Sequence, residues 1–337
     1  MVASTAAAVV SLNPDSRFSL FRAPSATPVD FADDVRIGLT GPRKSLPPRW
    51  FYDALGSALF DAICFLPEYY VMRAEAEVLT THVREIAAAF GESPRLVELG
   101  SGMARKTRIL LDALQRDLEY VPVDVDAETL ERAGRDLLSE YAQLRIIAVC
   151  ADFARPSLAL AALPRPRGRT VVLFLGSTIG NLDPQTAVAM LADLRSALAP
   201  GDALFLGADL RKSKTILEPA YDDALGVTAA FNLNVLARIN RELGGQFDLS
   251  AFRHRAFYDA TLGRVEMHLV SRRVQRVRIE ALQLDVDFAK GETIHTESSY
   301  KHDETTLGSL ASASGFAIER TWKDSEGRFA DVLMIAK

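Results

Sequence analysis

Arg95-Leu-Val-Glu-Leu-Gly-Ser-Gly-Met-Ala-Arg-Lys-Thr-Arg-Ile-Leu-Leu-Asp-Ala-Leu114 is the stretch on which the architecture turns. The apolar run Leu96 to Leu99 breaks at Gly100-Ser101-Gly102, and beyond the break Ile109, Leu110, Leu111 and Leu114 recur at helical spacing. Strand, glycine turn, helix is the opening unit of a doubly wound α/β domain. Gly100 and Gly102 can take backbone angles closed to other residues, and they let a ligand lie against the main chain. Three ligands compete for such a turn. A dinucleotide fingerprint wants a third glycine where Arg105 stands, and a P-loop wants its glycine immediately before Lys106-Thr107, where Arg105 stands again. An S-adenosylmethionine site wants an acid near the strand end, here Glu98, and a glycine turn passing under the amino-acid end of the cofactor. A bare Gly-x-Gly is also the mark of an ordinary tight turn, so the rest of the chain has to arbitrate.

Downstream, the doubly wound pattern repeats. Tyr120-Val-Pro-Val-Asp124 reads as the second strand and ends on an acid that suits a ribose diol, which S-adenosylmethionine and nicotinamide cofactors both carry. Asp126 caps a helix running through Tyr141. Leu144–Cys150 is the third strand, followed by Asp152 and Phe153, an acid and an aromatic placed to take an adenine amino group and stack on its ring. Thr170–Leu175 is continuously apolar, as a central strand buried on both faces requires. It opens into Gly176-Ser-Thr-Ile-Gly-Asn181, a loop at the carboxyl edge of the sheet, where open α/β sheets bind ligands. Asp183-Pro184 then caps a helix to Leu198, and Pro200-Gly-Asp202 turns into strand 203–207.

From Arg211 the alternation stops. A helical stretch around 221–243 and alternating segments near 252–258, 265–271 and 277–282 predict an inserted α+β lobe. A helix over 303–314 returns to the sheet, and Phe316–Trp322, a turn at Ser325-Glu-Gly327 and Phe329–Ala336 form a closing hairpin. That hairpin adds an antiparallel strand to a parallel sheet, the usual ending of Rossmann-like methyltransferases and not of dehydrogenases, and it tips the choice to S-adenosylmethionine.

Upstream, residues 1 to about 30 are rich in Ala, Ser and Pro and read as a partly ordered arm. The double proline Pro47-Pro48 starts an amphipathic helix expected from Trp50 to Ala62, closed by Leu66-Pro-Glu-Tyr-Tyr70, and a helix from Arg73 to Phe90 leads into the first strand. The predicted fold class is therefore α/β: a Rossmann-like class I methyltransferase sheet with a closing antiparallel hairpin, plus a smaller α+β substrate-binding domain. The boundaries expected are 1–74 for the arm and first part of the substrate-binding domain, 75–210 for the cofactor-binding domain, 211–301 for the inserted second part of the substrate-binding domain, and 302–337 for the end of the methyltransferase domain.

Composition narrows the function classes. The 337 residues are 48% apolar, enough for a sizeable core, and the net charge of −5 argues against a nucleic-acid footprint. No apolar run reaches the length of a membrane span. The apolar stretch Ala3–Val10 has no basic leader before it, which argues against a signal peptide. Two cysteines, Cys64 and Cys150, suit a reduced, cytoplasmic setting. The five histidines lack ligand spacing, so no metal is expected, and no Gly-x-Ser-x-Gly elbow is present.

Lys44-Ser-Leu-Pro-Pro-Arg-Trp-Phe-Tyr-Asp53, Leu66-Pro-Glu-Tyr-Tyr70, Glu98-Leu-Gly-Ser-Gly102 with Lys106-Thr-Arg108, Phe174-Leu-Gly-Ser-Thr-Ile-Gly-Asn-Leu182, Ala220-Tyr-Asp-Asp223 with Gly226-Val-Thr-Ala-Ala-Phe-Asn232, and Thr296-Glu-Ser-Ser299 before Lys301 spread over nearly the whole chain from Asp33 onward. In these strings the chain resembles the L-histidine Nα-methyltransferases of ergothioneine biosynthesis. The resemblance implies trimethylation of the α-amino group of L-histidine to hercynine, with S-adenosylmethionine as donor and S-adenosylhomocysteine as product. It assigns Gly100, Lys106, Asp124, Asp152 and Phe153 to the cofactor, with Lys106 near the methionine carboxylate. Tyr69, Asn181, Tyr221, Glu297 and Ser299 match its substrate contacts, and Tyr52, Gly176 and Met267 further pocket residues. Asn181 and Tyr52 are the catalytic candidates, Asn181 on the amine and Tyr52 as a base, through water, or as a wall of the pocket.

Two departures stand out, Val71-Met72 where the family has Pro-Thr, and Met103-Ala104-Arg105 in place of more polar loop residues. A monomer acting on a small molecule, without nucleic acid or membrane, is the expectation. The rival readings are an N-methyltransferase for another aromatic amino acid such as tryptophan, a nicotinamide-dependent oxidoreductase, and a non-catalytic S-adenosylmethionine-binding module.

Overall fold

The computed structural model describes residues 9–10, 17–22, 30–114, 118–151, 155–161, 163 and 168–337. In chain order its strands are β1 (Val9–Val10), β2 (Phe18–Arg22), β3 (Arg95–Leu99), β4 (Glu119–Asp124), β5 (Arg145–Cys150), β6 (Thr170–Phe174) and β7 (Ala203–Asp209). Then follow β8 (Phe252–Asp259), β9 (Arg264–Ser271), β10 (Gln275–Ile279), β11 (Leu284–Phe288) and β12 (Thr293–Tyr300), and lastly β13 (Phe316–Lys323) and β14 (Phe329–Ala336). The chain forms two units, one made of 1–26, 73–210 and 302–337, the other of 27–72 and 211–301.

The first unit holds a nine-stranded sheet in the order β1-β2-β5-β4-β3-β6-β7-β14-β13. Strands β2 through β7 run parallel, and β14 lies antiparallel on β7 with β13 beyond it. Every residue of β3, β6 and β7 is buried, because apolar side chains pack on both faces. Alternate residues serve the two faces: Val97, Leu99, Val121 and Val123 join one core, and Leu96, Tyr120, Ile146 and Leu173 the other. Within the segment read as an arm, Phe18–Arg22 pairs with Ile146–Cys150 and so belongs with the large sheet, not with the second unit. Three of its five residues are buried, and Phe18 leans on Gly134, where a β-carbon would strike its ring. A short apolar segment gains most by covering an open sheet edge.

The second unit has a three-stranded antiparallel sheet, β12-β9-β8, and a separate hairpin of β10 and β11. Lys44-Ser45-Leu46 extends the edge of β12: the Leu46 amide donates to the His295 carbonyl at 2.8 Å and the His295 amide to the Lys44 carbonyl at 2.9 Å. The helix expected from Trp50 begins later. Pro48–Phe51 is a single 3-10 turn, and the helix runs Ala54–Ile63 behind Asp53, whose carboxylate accepts the Gly56 amide hydrogen at 2.7 Å. That cap fixes the start, since its own backbone is extended. The helical stretch around 221–243 is likewise two helices, Lys214–Tyr221 and Val227–Leu243, separated at Gly226, which sits at φ +75°.

Candidate active site

In the first unit the glycine turn after β3 is held by its neighbour strand. The Gly100 and Ser101 amides donate to the Val123 carbonyl at 2.9 and 3.2 Å. The Gly102 amide donates to Asp124 Oδ2 at 3.1 Å, so the acid at the end of β4 is fixed against the turn. Gly100, Gly102 and Ala104 all have positive φ, of 70°, 47° and 51°. Nothing stands within 4 Å of where a Gly102 β-carbon would be, so main chain and carboxylate are open to a ligand on that side. These features fit a cofactor carrying a ribose diol. Glu98 does not join them. It is buried, accepts from the hydroxyls of Thr107 (2.6 Å) and Tyr120, and burial pushes it up to about 7 against those two bonds. Asp152 and Phe153 lie outside the described residues.

Lys106 is not an isolated surface cation. Its ammonium pairs with the fully buried Glu75, whose carboxylate also accepts the Gly176 amide hydrogen at 2.7 and 3.0 Å. Sequence reasoning missed Glu75, although a signal existed: it sits among the core-facing positions 71, 74, 78 and 79 of helix Val71–Phe90. Gly176 (φ +78°) and Ser177 (φ +57°) turn the chain sharply out of β6, and a 3-10 turn from Thr178 carries Asn181 at its end. Ser177 Oγ accepts the Asp209 amide hydrogen at 2.9 Å, which anchors this loop to β7.

In the second unit Glu297, Ser299 and Met267 come together on the β12–β9 pair. Met267 is directly opposite Glu297, and a bulge between His295 and Glu297 shifts the register. Thr296 is the extra residue, and its hydroxyl donates to the Met267 carbonyl at 3.0 Å. Beyond the bulge Glu297 and Ser299 share the buried face. Tyr221 Oη and Ser299 Oγ are 2.8 Å apart, and the buried Lys301 donates to both, at 2.7 and 2.8 Å. In the sequence Lys301 stands only at the end of a motif; a lysine closing a strand gives no hint that it will be buried beneath its neighbours. His254 adds a support from behind, its Nε2 donating to the Tyr221 carbonyl at 2.8 Å while burial keeps the ring neutral.

Glu297 itself is only 7% exposed, and its carboxylate makes no hydrogen bond to any described residue. Burial pushes it up to about 7 against the pull of Lys301. Tyr69 packs edge-on to Tyr221 with ring centroids 6.2 Å apart, and Tyr52 edge-on to Phe60 and Phe231 at 5.6 and 5.7 Å. The Tyr52 ring is 45% exposed, yet loss of hydration around its hydroxyl, then the charges of Glu297, Cys64 and Tyr221, push its pKa up. Burial does the same to Tyr69, with Tyr221 next. Both therefore stay phenols at neutral pH, able to donate or accept a hydrogen bond.

The chain is similar to known proteins along most of its length. Residues 31–336 match the family model described as histidine-specific, S-adenosylmethionine-dependent methyltransferase. The chain is 52% identical over 301 residues to the histidine N-alpha-methyltransferase of Mycolicibacterium smegmatis, covering 88% of this chain and 92% of the relative. It is 48% identical over 299 residues to the enzyme of that name from Mycobacterium tuberculosis, with the same coverage. It is also 29% identical to ergothioneine biosynthesis protein 1 of Schizosaccharomyces pombe, over 82% of this chain and 37% of that longer protein. The chain belongs to the family of histidine-specific, S-adenosylmethionine-dependent methyltransferases.

Proposed function

We propose that this protein trimethylates the α-amino group of L-histidine, giving hercynine for ergothioneine synthesis. The observation that carries the choice of substrate is Glu297, a buried carboxylate with no hydrogen-bond partner among the described residues, two residues from the Ser299 hydroxyl on the same strand face. An imidazole offers one N–H and one bare nitrogen, which a carboxylate and a hydroxyl answer together. Gly100, Lys106 and Asp124, with Asp152 and Phe153, are the residues to hold S-adenosylmethionine, whose sulfonium supplies an already activated methyl group. Lys106 suits the methionine carboxylate and Asp124 the ribose.

The amine must be neutral to attack, and the Asn181 amide oxygen can accept one of its hydrogens and leave the lone pair facing the methyl. Before each transfer one proton leaves the ammonium for solvent; the lone pair then forms the nitrogen–carbon bond as the sulfur–carbon bond breaks, and the third transfer leaves a quaternary nitrogen without N–H. Holding the partners in line does most of the catalytic work. Tyr221 takes the substrate carboxylate, Met267 and Tyr69 line the ring, and Gly176 shapes the loop beneath Asn181. Tyr52, held as a phenol, donates a hydrogen bond and closes the pocket. We place the reaction in the cytoplasm, carried out by a monomer without a metal.

Glu297→Ala tests the substrate. A site built on hydrogen bonds to a ring rejects analogues that cannot make them, so removing the acceptor costs about 2–3 kcal/mol, 30- to 150-fold in kcat/KM for histidine. Tryptophan turnover, followed by mass in the same assay, should hold or rise. Equal losses on both amino acids would mean that Glu297 supports the fold and does not read the ring.

A further inference from the structure

Two buried acids of the first unit have no part in the function proposed above. Glu75 is clasped between Lys106 and the Gly176 amide. Asp331 lies on β14 opposite Gly207 of β7, fully buried, and neither of its carboxyl oxygens has a hydrogen-bond partner among the described residues. The two carboxyls converge on the bare face of Gly207: a β-carbon there would collide with Glu75 Oε1 and stand 3.3 Å from Asp331 Oδ1. Burial, and after it the charge of Glu75, push the Asp331 carboxyl well above its ordinary range, with Lys106 opposing. Glu75 is the acid of the group that Lys106 and the Gly176 amide engage. The glycine at 207 is what leaves room for that arrangement.

The loop after β6 needs such a tie. Gly176 and Ser177 are consecutive left-handed residues, a conformation that serine adopts only when its surroundings impose it. The Gly176 amide is turned inward onto Glu75, and the same carboxylate grips Lys106, the residue just before the first helix after the glycine turn. One buried group thus links two loops on the carboxyl edge of the sheet.

We propose that Glu75 is a positioning residue for methyl transfer: its carboxylate fixes the Lys106 ammonium and the Gly176–Asn181 loop relative to each other. The proposal rests on the reading that Lys106 binds the cofactor's carboxylate and Asn181 the amine. The test is a double-mutant cycle on S-adenosylhomocysteine affinity with Glu75→Gln and Lys106→Met. Each single variant should weaken binding about tenfold or more, as loss of a charge-assisted bond does. The double variant should bind little worse than Lys106→Met alone, because Glu75 acts through Lys106. Histidine kcat should also fall in Glu75→Gln, since the Asn181 loop is released. Full additivity in the cycle, or Glu75→Gln binding within threefold of the unmodified enzyme while Lys106→Met weakens, overturns the proposal and spares the cofactor reading. Unchanged affinity in Lys106→Met sinks that reading and the proposal with it. If Glu75→Gln does not fold, Glu75→Asp takes its place in the cycle. Its shorter arm keeps the charge but cannot span both partners, and the same outcomes decide.

Discussion

Glu297 is a residue the fold tolerates at a cost. Its ordinary pKa is near 4.5 and burial raises it to about 7. Between those values the folded state binds more protons than the unfolded chain, so stability falls as pH rises from about 4.5 to about 7 and is flat above. At roughly 1.4 kcal/mol per pKa unit the penalty at pH 8 is about 3 kcal/mol, as an order of magnitude. Glu297→Gln removes the charge and keeps the shape. It should raise the urea midpoint at pH 8 but not at pH 4.5, while histidine turnover falls; no gain at pH 8 would show the carboxylate is not paying this penalty. Stability surrendered at a site for function is a common trade. Glu98, also raised to about 7, adds a slope of the same sign in both proteins and cancels in the comparison.

Among the elements, the β12 bulge decides which side chains meet. Side chains alternate along a strand, so one extra residue moves everything beyond it to the opposite face. Before the bulge Ile294 points into the core and His295 away; after it Glu297 and Ser299 are buried and Ser298 and Tyr300 are less so. Deleting Ser298, one residue beyond the bulge, should leave Glu297 opposite Met267 and turn Ser299 to the outward face. We expect histidine methylation to fall at least a hundredfold, about 3 kcal/mol or more in the transition state, with S-adenosylhomocysteine affinity in the first unit kept. Retained methylation in a folded deletion variant would show that the face on which Ser299 lies is incidental. The spacing of Glu297 and Ser299, two apart on a strand, was legible from the sequence. The bulge was not, because it is a mismatch between two strands and neither one carries it alone.

For the whole molecule, the cofactor assignment makes a simple thermodynamic demand. A ligand that binds only the native state stabilises it by roughly 2.7 kcal/mol at a hundredfold excess over Kd. S-adenosylhomocysteine should therefore raise the Tm by several degrees, NAD should leave it unmoved, and Asp124→Ala should shrink the S-adenosylhomocysteine shift without lowering the Tm of the free protein by more than a degree or two. A shift with NAD and none with S-adenosylhomocysteine would remove the basis of the whole reading. No helix of the described residues is long and apolar enough to cross a membrane.

Local chemistry settled much of this protein in advance. The glycine turn after Leu99, the apolar run at 170–175, the Asp183-Pro184 cap and the terminal hairpin each follow from neighbours a few residues apart, and each is where its pattern put it. The motif strings likewise named Asn181, Glu297 and Ser299 without a fold. The remaining features needed the chain to be folded. Glu75, Asp331 and Gly207 are 132 and 124 residues apart along the chain, 75 to 207 and 207 to 331, and nothing but sheet pairing and the packing of helix Val71–Phe90 makes them one group. Phe18–Arg22 sits in an Ala-, Ser- and Pro-rich stretch with no clear period, and its strand is stabilised by the edge it covers. Lys301 beneath Tyr221 and Ser299 is a burial that depends on what surrounds it. Hydrophobic periodicity is a local property and could be read; the pairing of buried charges is set by distance in space, and that distance exists only in the folded chain.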